Sequence, residues 1–179
     1  MKELIEFTIP FVGLKIGEHR FNFEIGNTFF KHFDYDEFDN AVINLEVLLE
    51  KKSTLLEFNL LFDGSVKVPC DLTNELFDLH IEGTYEFVVK FGEAYNDENE
   101  DLLILPHGSH HVNIQQFIYE TLVLAVPLKR IHPGVKDGTL KSDILDKLEE
   151  LSPNAETETE QNKENEIDPR WENLKKLIK

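Results

Sequence analysis

Through the first hundred residues, apolar and polar positions alternate with a period of two, the pattern of strands that bury one face. Ile5, Phe7 and Ile9 alternate with Glu6 and Thr8, and Phe21, Phe23 and Ile25 with Asn22 and Glu24. Ile43, Leu45, Val47 and Leu49 alternate with Asn44, Glu46 and Glu50. Leu56, Phe58, Leu60 and Phe62 run into Asp63-Gly64, a tight-turn dipeptide that predicts the end of a strand. Val66, Val68 and Cys70 predict the next strand, with Pro69 marking its end or a sheet edge. Phe77, Leu79, Ile81, Tyr85, Phe87, Val89 and Phe91 share one parity, with Gly83 among them as an expected bend. A helical turn capped by Asn27 is expected to face Phe29, Phe30 and Phe33 inward. Asn96 to Asp101 reads as an acidic loop, and Leu102 to Leu105 as a short strand.

The period then changes. Ile114, Phe117, Ile118, Leu122 and Ala125 fall at helical spacing. Asn113 and Gln116 have the spacing of a capping box, and Pro127 ends the helix. Its wide apolar stripe predicts burial against the sheet. After the basic linker Leu128 to Gly134, a second helix starts at Ser142 or Asp143, with Ile144, Leu145, Leu148 and Leu151 on one face. The predicted fold class is α+β. It comprises a bent, mainly antiparallel β-sheet, partly barrel-like or sandwich-like, with one buried helix and short C-terminal helices. The domain spans residues 1–152. Residues 153–167 form an acidic flexible tether reaching about 20 Å, and 168–179 a short C-terminal helix.

Composition changes the picture in one respect. The chain has 179 residues with 18 Lys plus Arg against 35 Asp plus Glu, a net charge of −17. Nucleic acid phosphates and anionic membranes should repel such a chain unless its cations are segregated. With 41% hydrophobic residues there is enough apolar material for a core, and 14 Phe against one Trp make it Phe-rich. The single Cys70 excludes an internal disulfide. The N-terminus does not read as a signal peptide and no apolar run is long enough to span a bilayer. A cytoplasmic protein is expected.

Candidate chemistry is sparse. His107, His110 and His111 cluster without the helix or glutamate of a zinc motif, and a solvated loop is the plainer reading. His80 falls on the polar parity of its strand and reads as a surface histidine. Cys70 lies on the apolar parity and reads as a buried, inert thiol. No nucleophile elbow or phosphate-binding loop is present. No catalytic residue, metal or cofactor is expected. Two places read as partner-binding surfaces. One is the basic linker, with Lys129, Arg130 and His132. The other is the terminal segment, with Arg170, Trp171, Leu174, Lys175 and Ile178.

Three ordered features carry a resemblance. The first is Cys70-Asp71-Leu72-Thr73 followed by Phe77. The second is Leu122 to Pro127, including Leu124, followed by His132. The third is Asp168 to Leu177. Together the chain resembles the YceD-type large ribosomal RNA subunit accumulation proteins, a bacterial and plastid family. Within that resemblance Cys70, Phe77, Leu124 and Pro127 are structural motif positions. Relatives often carry a second Cys where this chain has Thr73, so a metal or redox role for that pair cannot operate here. Arg130 stands where Pro is common, and Thr121 where an acid is common.

The resemblance implies a non-enzymatic role in accumulation or processing of large-subunit ribosomal RNA. Acidity favours a basic ribosomal protein or assembly factor as the direct contact, with RNA contacted indirectly and no membrane involved. Two other classes remain open: weak direct RNA binding through Lys129, Arg130 and the terminal lysines, and a metal-dependent hydrolase using the His107–His111 cluster.

Overall fold

The period-two segments form one six-stranded sheet in a computed structural model of the chain, which describes residues 4–152. The described residues fall into two compact units, residues 4–140 and 141–152. In the first, β1 (Thr8–Pro10) follows a 3₁₀ turn at Ile5–Phe7. Then come β2 (Gly17–Gly26), α1 (Asn27–His32), β3 (Asn40–Lys51), β4 (Leu55–Pro69) and β5 (Leu76–Gly92). β6 (Asn96–Asn99), β7 (Leu102–Pro106), β8 (His111–Asn113), α2 (Gln115–Leu124) and α3 (Pro133–Lys136) complete it. The sheet order is β2-β3-β4-β5-β7-β6, and β1 pairs with β8 in a separate ribbon. All pairs are antiparallel except β5 with β7. The fold is thus α+β around a mostly antiparallel sheet. Among the described residues the two outer strands, β2 and β6, do not pair to close a barrel.

One core lies on one face of this sheet. Ile43, Leu45, Val47 and Leu49 of β3, Leu56, Phe58 and Leu60 of β4, and Phe87 and Val89 of β5 are all buried. Fully burying a Phe or Leu side chain contributes about 1.5–3 kcal/mol. α2 lies on β5 through Phe117, whose ring stacks on Phe87 at 4.1 Å and 8°, and Phe87 stacks in turn on Phe58 of β4 at 4.8 Å and 4°. Ile118 and Leu122 of α2 are fully buried. Phe29 and Phe30 of α1 and the following Phe33 face inward as expected, and Phe33 stacks on Tyr119 of α2 at 4.2 Å. Phe7 packs against Phe23 and Phe29, so the N-terminal turn closes the same core. The buried Gln115 accepts the Leu4 amide at 2.6 Å, which satisfies its side-chain oxygen and ties down the chain start.

Several expectations need correction. Asp63-Gly64 is not a turn: β4 runs through it, and all of its residues pair with β5 from Leu55↔Lys90 to Pro69↔Leu76. Gly64 lies opposite Ile43, where a Cβ would stand 2.4 Å from the Val42 carbonyl oxygen and 2.5 Å from the Ile43 Cα. Here glycine serves a close backbone approach. Gly83 causes no break of register either; it lies opposite Phe62, and a Cβ there would stand 2.7 Å from that ring. Ile5 is 89% exposed because the 3₁₀ turn removes it from the strand alternation. Asn27 does not cap α1. Gly26 holds the cap position, and the Asn27 amide donates to the Asp39 carbonyl at 2.6 Å. The capping box is also absent: Asn113 Oδ1 accepts the Gln115 amide, while Gln116 donates to Glu120. The acidic loop contains the edge strand β6, and the basic linker runs into the short helix α3.

In the second unit, α4 (Asp143–Leu151) starts as expected at Ser142, whose Oγ accepts the Ile144 amide. The tether at 153–167 and the terminal helix at 168–179 lie outside the described residues.

The two glycines generate a ranked expectation. Gly64→Ala forces two backbones apart and should cost about 2–4 kcal/mol. Gly83→Ala meets only a ring that can shift, and should cost about 1–2 kcal/mol. Urea denaturation of both variants measures the order, and equal or reversed losses would contradict the close-approach role of Gly64.

Candidate functional site

Two of the three resemblance segments meet in space. β4 ends at Pro69, and the turn Cys70 to Asn74 returns the chain to β5, with Asn74 in the left-handed region at φ 58°. The segment after α2 crosses this turn. The Asp71 amide donates to the Arg130 carbonyl at 2.8 Å, and the Arg130 amide donates to Asp71 Oδ2 at 2.6 Å. The Arg130 guanidinium reaches Asp71 through Nε at 3.5 Å and Glu37 through Nη1 at 3.2 Å. Two residues on, the His132 amide donates to Cys70 Sγ at 3.3 Å. The His132 ring accepts the Gly134 amide on Nδ1, which caps α3, and meets Phe77 edge-on at 5.4 Å. Nδ1 is thereby an acceptor, so the neutral ring carries its proton on Nε2.

Cys70 is buried as expected, at 2% exposure. Burial pushes its thiol up. The His132 amide, the Thr73 hydroxyl and the Leu72 and Thr73 amides point at the sulfur, outweigh burial and hold it below the usual thiol range. The knuckle is therefore closed by hydrogen bonds, and the buried Thr73 supplies two of them, from its hydroxyl and its amide. Arg130 holds the junction together with its charge already engaged by two carboxylates, whereas Lys129 is exposed. Leu124 is 83% exposed and Pro127 is exposed at the end of α2, beside the fully buried Leu122. Arg170, Trp171, Leu174, Lys175 and Ile178 lie outside the described residues.

The histidine cluster does not assemble. His107 follows β7, His110 precedes β8 and His111 lies in β8, and all three are exposed. Among the described residues only Asp63, His80 and Glu82 bring three ligand-type atoms within 4.8 Å of one another, and all three are exposed. His80 is a surface residue as expected, 3.6 Å from each of these carboxylates.

That trio belongs to a larger surface missed by residue-by-residue reading of the sequence. Register aligns the outward positions of four strands, many of them polar, in rows across the open face of the sheet. One row is Glu24, Asn44, Asp63 and Glu82; another is Glu18, Glu50, Glu57 and Val88. Directly opposed carboxylates in a sheet repel. Lys52 bridges Glu50 and Glu57, at 3.6 and 2.6 Å, and relieves one such pair. Among the described residues, Asp63 and the opposing Glu82 have an ion-pair contact only with the His80 ring. Arg20 binds Glu46 at 2.8 Å. A shallow depression of about 620 Å³ on this face is lined by Asn22, Glu24, Asn44, Glu46, Leu61 and Asp63, among others. Its lining combines the carboxylates of Glu24, Glu46 and Asp63 with the apolar side chains of Phe23, Leu45, Leu61 and Phe62. Among the described residues no helix is long and apolar enough to cross a membrane.

Near the junction, Tyr35 is pushed up to about 12, by burial first and then by the Glu37 carboxylate. The raised value favours the neutral phenol in the folded chain. Its contribution is complete below the unfolded value near 10 and is lost as pH rises towards 12. Tyr35→Phe should therefore flatten the loss of stability between pH 10 and 12, read by denaturation at fixed pH; an unchanged slope would contradict this environment. Arg130→Gln should cost about 1 kcal/mol at low salt and less in 1 M NaCl, since the pair is partly exposed. A salt-independent loss would show that packing, and not charge, holds the junction.

Comparison with curated proteins and with solved structures returns no match. Residues 58–178 match the family described as "Large ribosomal RNA subunit accumulation protein YceD", a span that begins within β4 and includes the Cys70 knuckle, α2 and the Arg130–His132 crossing. The chain belongs to the YceD family of large ribosomal RNA subunit accumulation proteins.

Proposed function

We propose that this chain is a non-enzymatic accessory factor in accumulation or processing of large-subunit ribosomal RNA, acting in the cytoplasm by binding a basic ribosomal protein or assembly factor. The observation that carries the reading is the acidic open face of the sheet. There the row from Glu24 to Glu82 sets Asp63 directly against Glu82 without a Lys or Arg bridging them. Opposed carboxylates cost the isolated fold stability, and a lysine- or arginine-rich surface laid on them recovers it. Family membership supplies the ribosomal context. Lys129 and the terminal segment with Arg170, Trp171, Leu174, Lys175 and Ile178 serve in this reading as additional contacts. Arg130 and His132 shape the crossing beside Lys129.

Affinity capture from lysate tests the reading, using the full chain, a chain ending at residue 153, and the triple variant Glu24→Gln/Asp63→Asn/Glu82→Gln. Ribosomal proteins or assembly factors should be retained after nuclease treatment and released by salt. The triple variant should retain several-fold less, while its fold gains about 0.5 kcal/mol from removal of like charges. Absence of ribosomal proteins, assembly factors and rRNA precursors from the bound fraction would sink the proposal. Capture that nuclease abolishes would transfer the role to direct RNA binding.

A further inference from the structure

β2 terminates the six-stranded sheet, and it pairs with β3 without a break from Gly17↔Lys51 to Gly26↔Val42. Neither a proline nor a bulge interrupts it. Among the described residues no strand pairs with its outer side. A regular, uninterrupted edge presents unpaired backbone donors and acceptors and accepts another strand. The core also reaches this edge. Phe21 and Phe23, on the face of Val47 and Leu45, are only half-buried.

We propose that the occupant of this edge is β2 of a second copy of the chain, paired antiparallel about a two-fold axis through Asn22. The argument is charge and register. Opposed residues in an antiparallel pair share a face, so the axis must pass through a residue position that keeps both apolar sets on one side. With the axis at Asn22, Arg20 faces Glu24 of the second copy, twice by symmetry, and Phe21 faces its Phe23. An axis at Phe21 sets Glu18 against Glu24. An axis at Arg20 sets arginine against arginine. An axis at Phe23 leaves Arg20 opposite Gly26. An axis at His19 also sets Glu18 against Arg20, but it overlaps only Gly17 to Phe21 and leaves Phe23 and Ile25 without an opposing strand; the axis at Asn22 pairs opposite charges over Glu18 to Gly26. Arg20 uses Nε for Glu46 at 2.8 Å and is 67% exposed, which leaves its terminal nitrogens for the second copy. The dimer is isologous, the commonest symmetric assembly. The dimer shares Glu24 with the face proposed to meet a basic partner, but it does not rest on that reading, and the Arg20 variants test it separately.

Sedimentation equilibrium of the full chain from about 1 to about 500 µM, at about 0.15 M salt to screen the net negative charge, tests the proposal. The wild-type chain should show a monomer–dimer equilibrium. Arg20→Glu alone and Glu24→Arg alone each oppose like charges across the axis, and each should weaken dimerisation at least about tenfold. Mixing these two variants restores opposite charges at both positions and should recover a heterodimer. The double variant Arg20→Glu/Glu24→Arg should recover a homodimer. Thermal denaturation verifies that each variant is folded; should Arg20→Glu fail to fold, Arg20→Gln replaces it and should weaken the dimer as well. A wild-type chain that stays monomeric throughout, single variants that dimerise like wild type, or a mixture that stays monomeric would each overturn the proposal.

Discussion

The ladder between β4 and β5 is the constraint on which the rest of the structure depends. All of β4, from Leu55 to Pro69, pairs with β5 in one unbroken register. A slip by one residue would turn Phe58, Leu60, Phe87 and Val89 to solvent, so the core and the register specify each other. Gly64 and Gly83 allow the ladder to exist. One accommodates the neighbouring β3 backbone, and the other the Phe62 ring. The aromatic stack Phe58, Phe87 and Phe117 then seats α2 on the sheet.

The same register that builds the core also builds the opposite face. Period two places most buried Leu and Phe residues of β3, β4 and β5 beside an outward polar residue, and in this chain many of those are carboxylates. Aligning the strands converts a diffuse acidity into rows of charge, with Asp63 against Glu82 as the least relieved pair. The few cations are treated differently. Arg20, Lys52 and Arg130 are committed to carboxylates within the chain. Arg130 sits where the segment after α2 crosses the Cys70 knuckle, so its charge fixes architecture.

Much of the fold was legible because it follows from parity. β2, β3, β5, β7 and α2 stand where the periods put them, as do the inward Phe29, Phe30 and Phe33 and the buried Cys70. The error at Asp63-Gly64 is instructive. Leu60, Phe62, Gly64, Val66 and Val68 keep one parity through the dipeptide, and that continuity carried more information than the turn propensity of two residues. Asn27 turns its side-chain amide to the Asp39 carbonyl and does not cap α1, while Asn113 holds the Leu4 and Thr8 oxygens with Nδ2 and its Oδ1 accepts the amide two residues on, at Gln115, in place of the capping-box pattern. The Asp71–Arg130–Glu37 junction joins residues far apart in sequence, and no local pattern marks it. The acidic rows depend on inter-strand register, which alternation within single strands does not give.

The central claim is that the open face of the sheet, through Glu24, Asp63 and Glu82, meets a basic protein partner. Zero-length carboxylate-to-lysine cross-linking of the full chain with the proteins it captures, followed by peptide mapping, tests this most directly. The expected result is linkage of Glu24, Asp63 or Glu82 to lysines of a basic ribosomal protein or assembly factor. Linkage confined to acids outside the sheet's open face, such as those of α4, would contradict the claim.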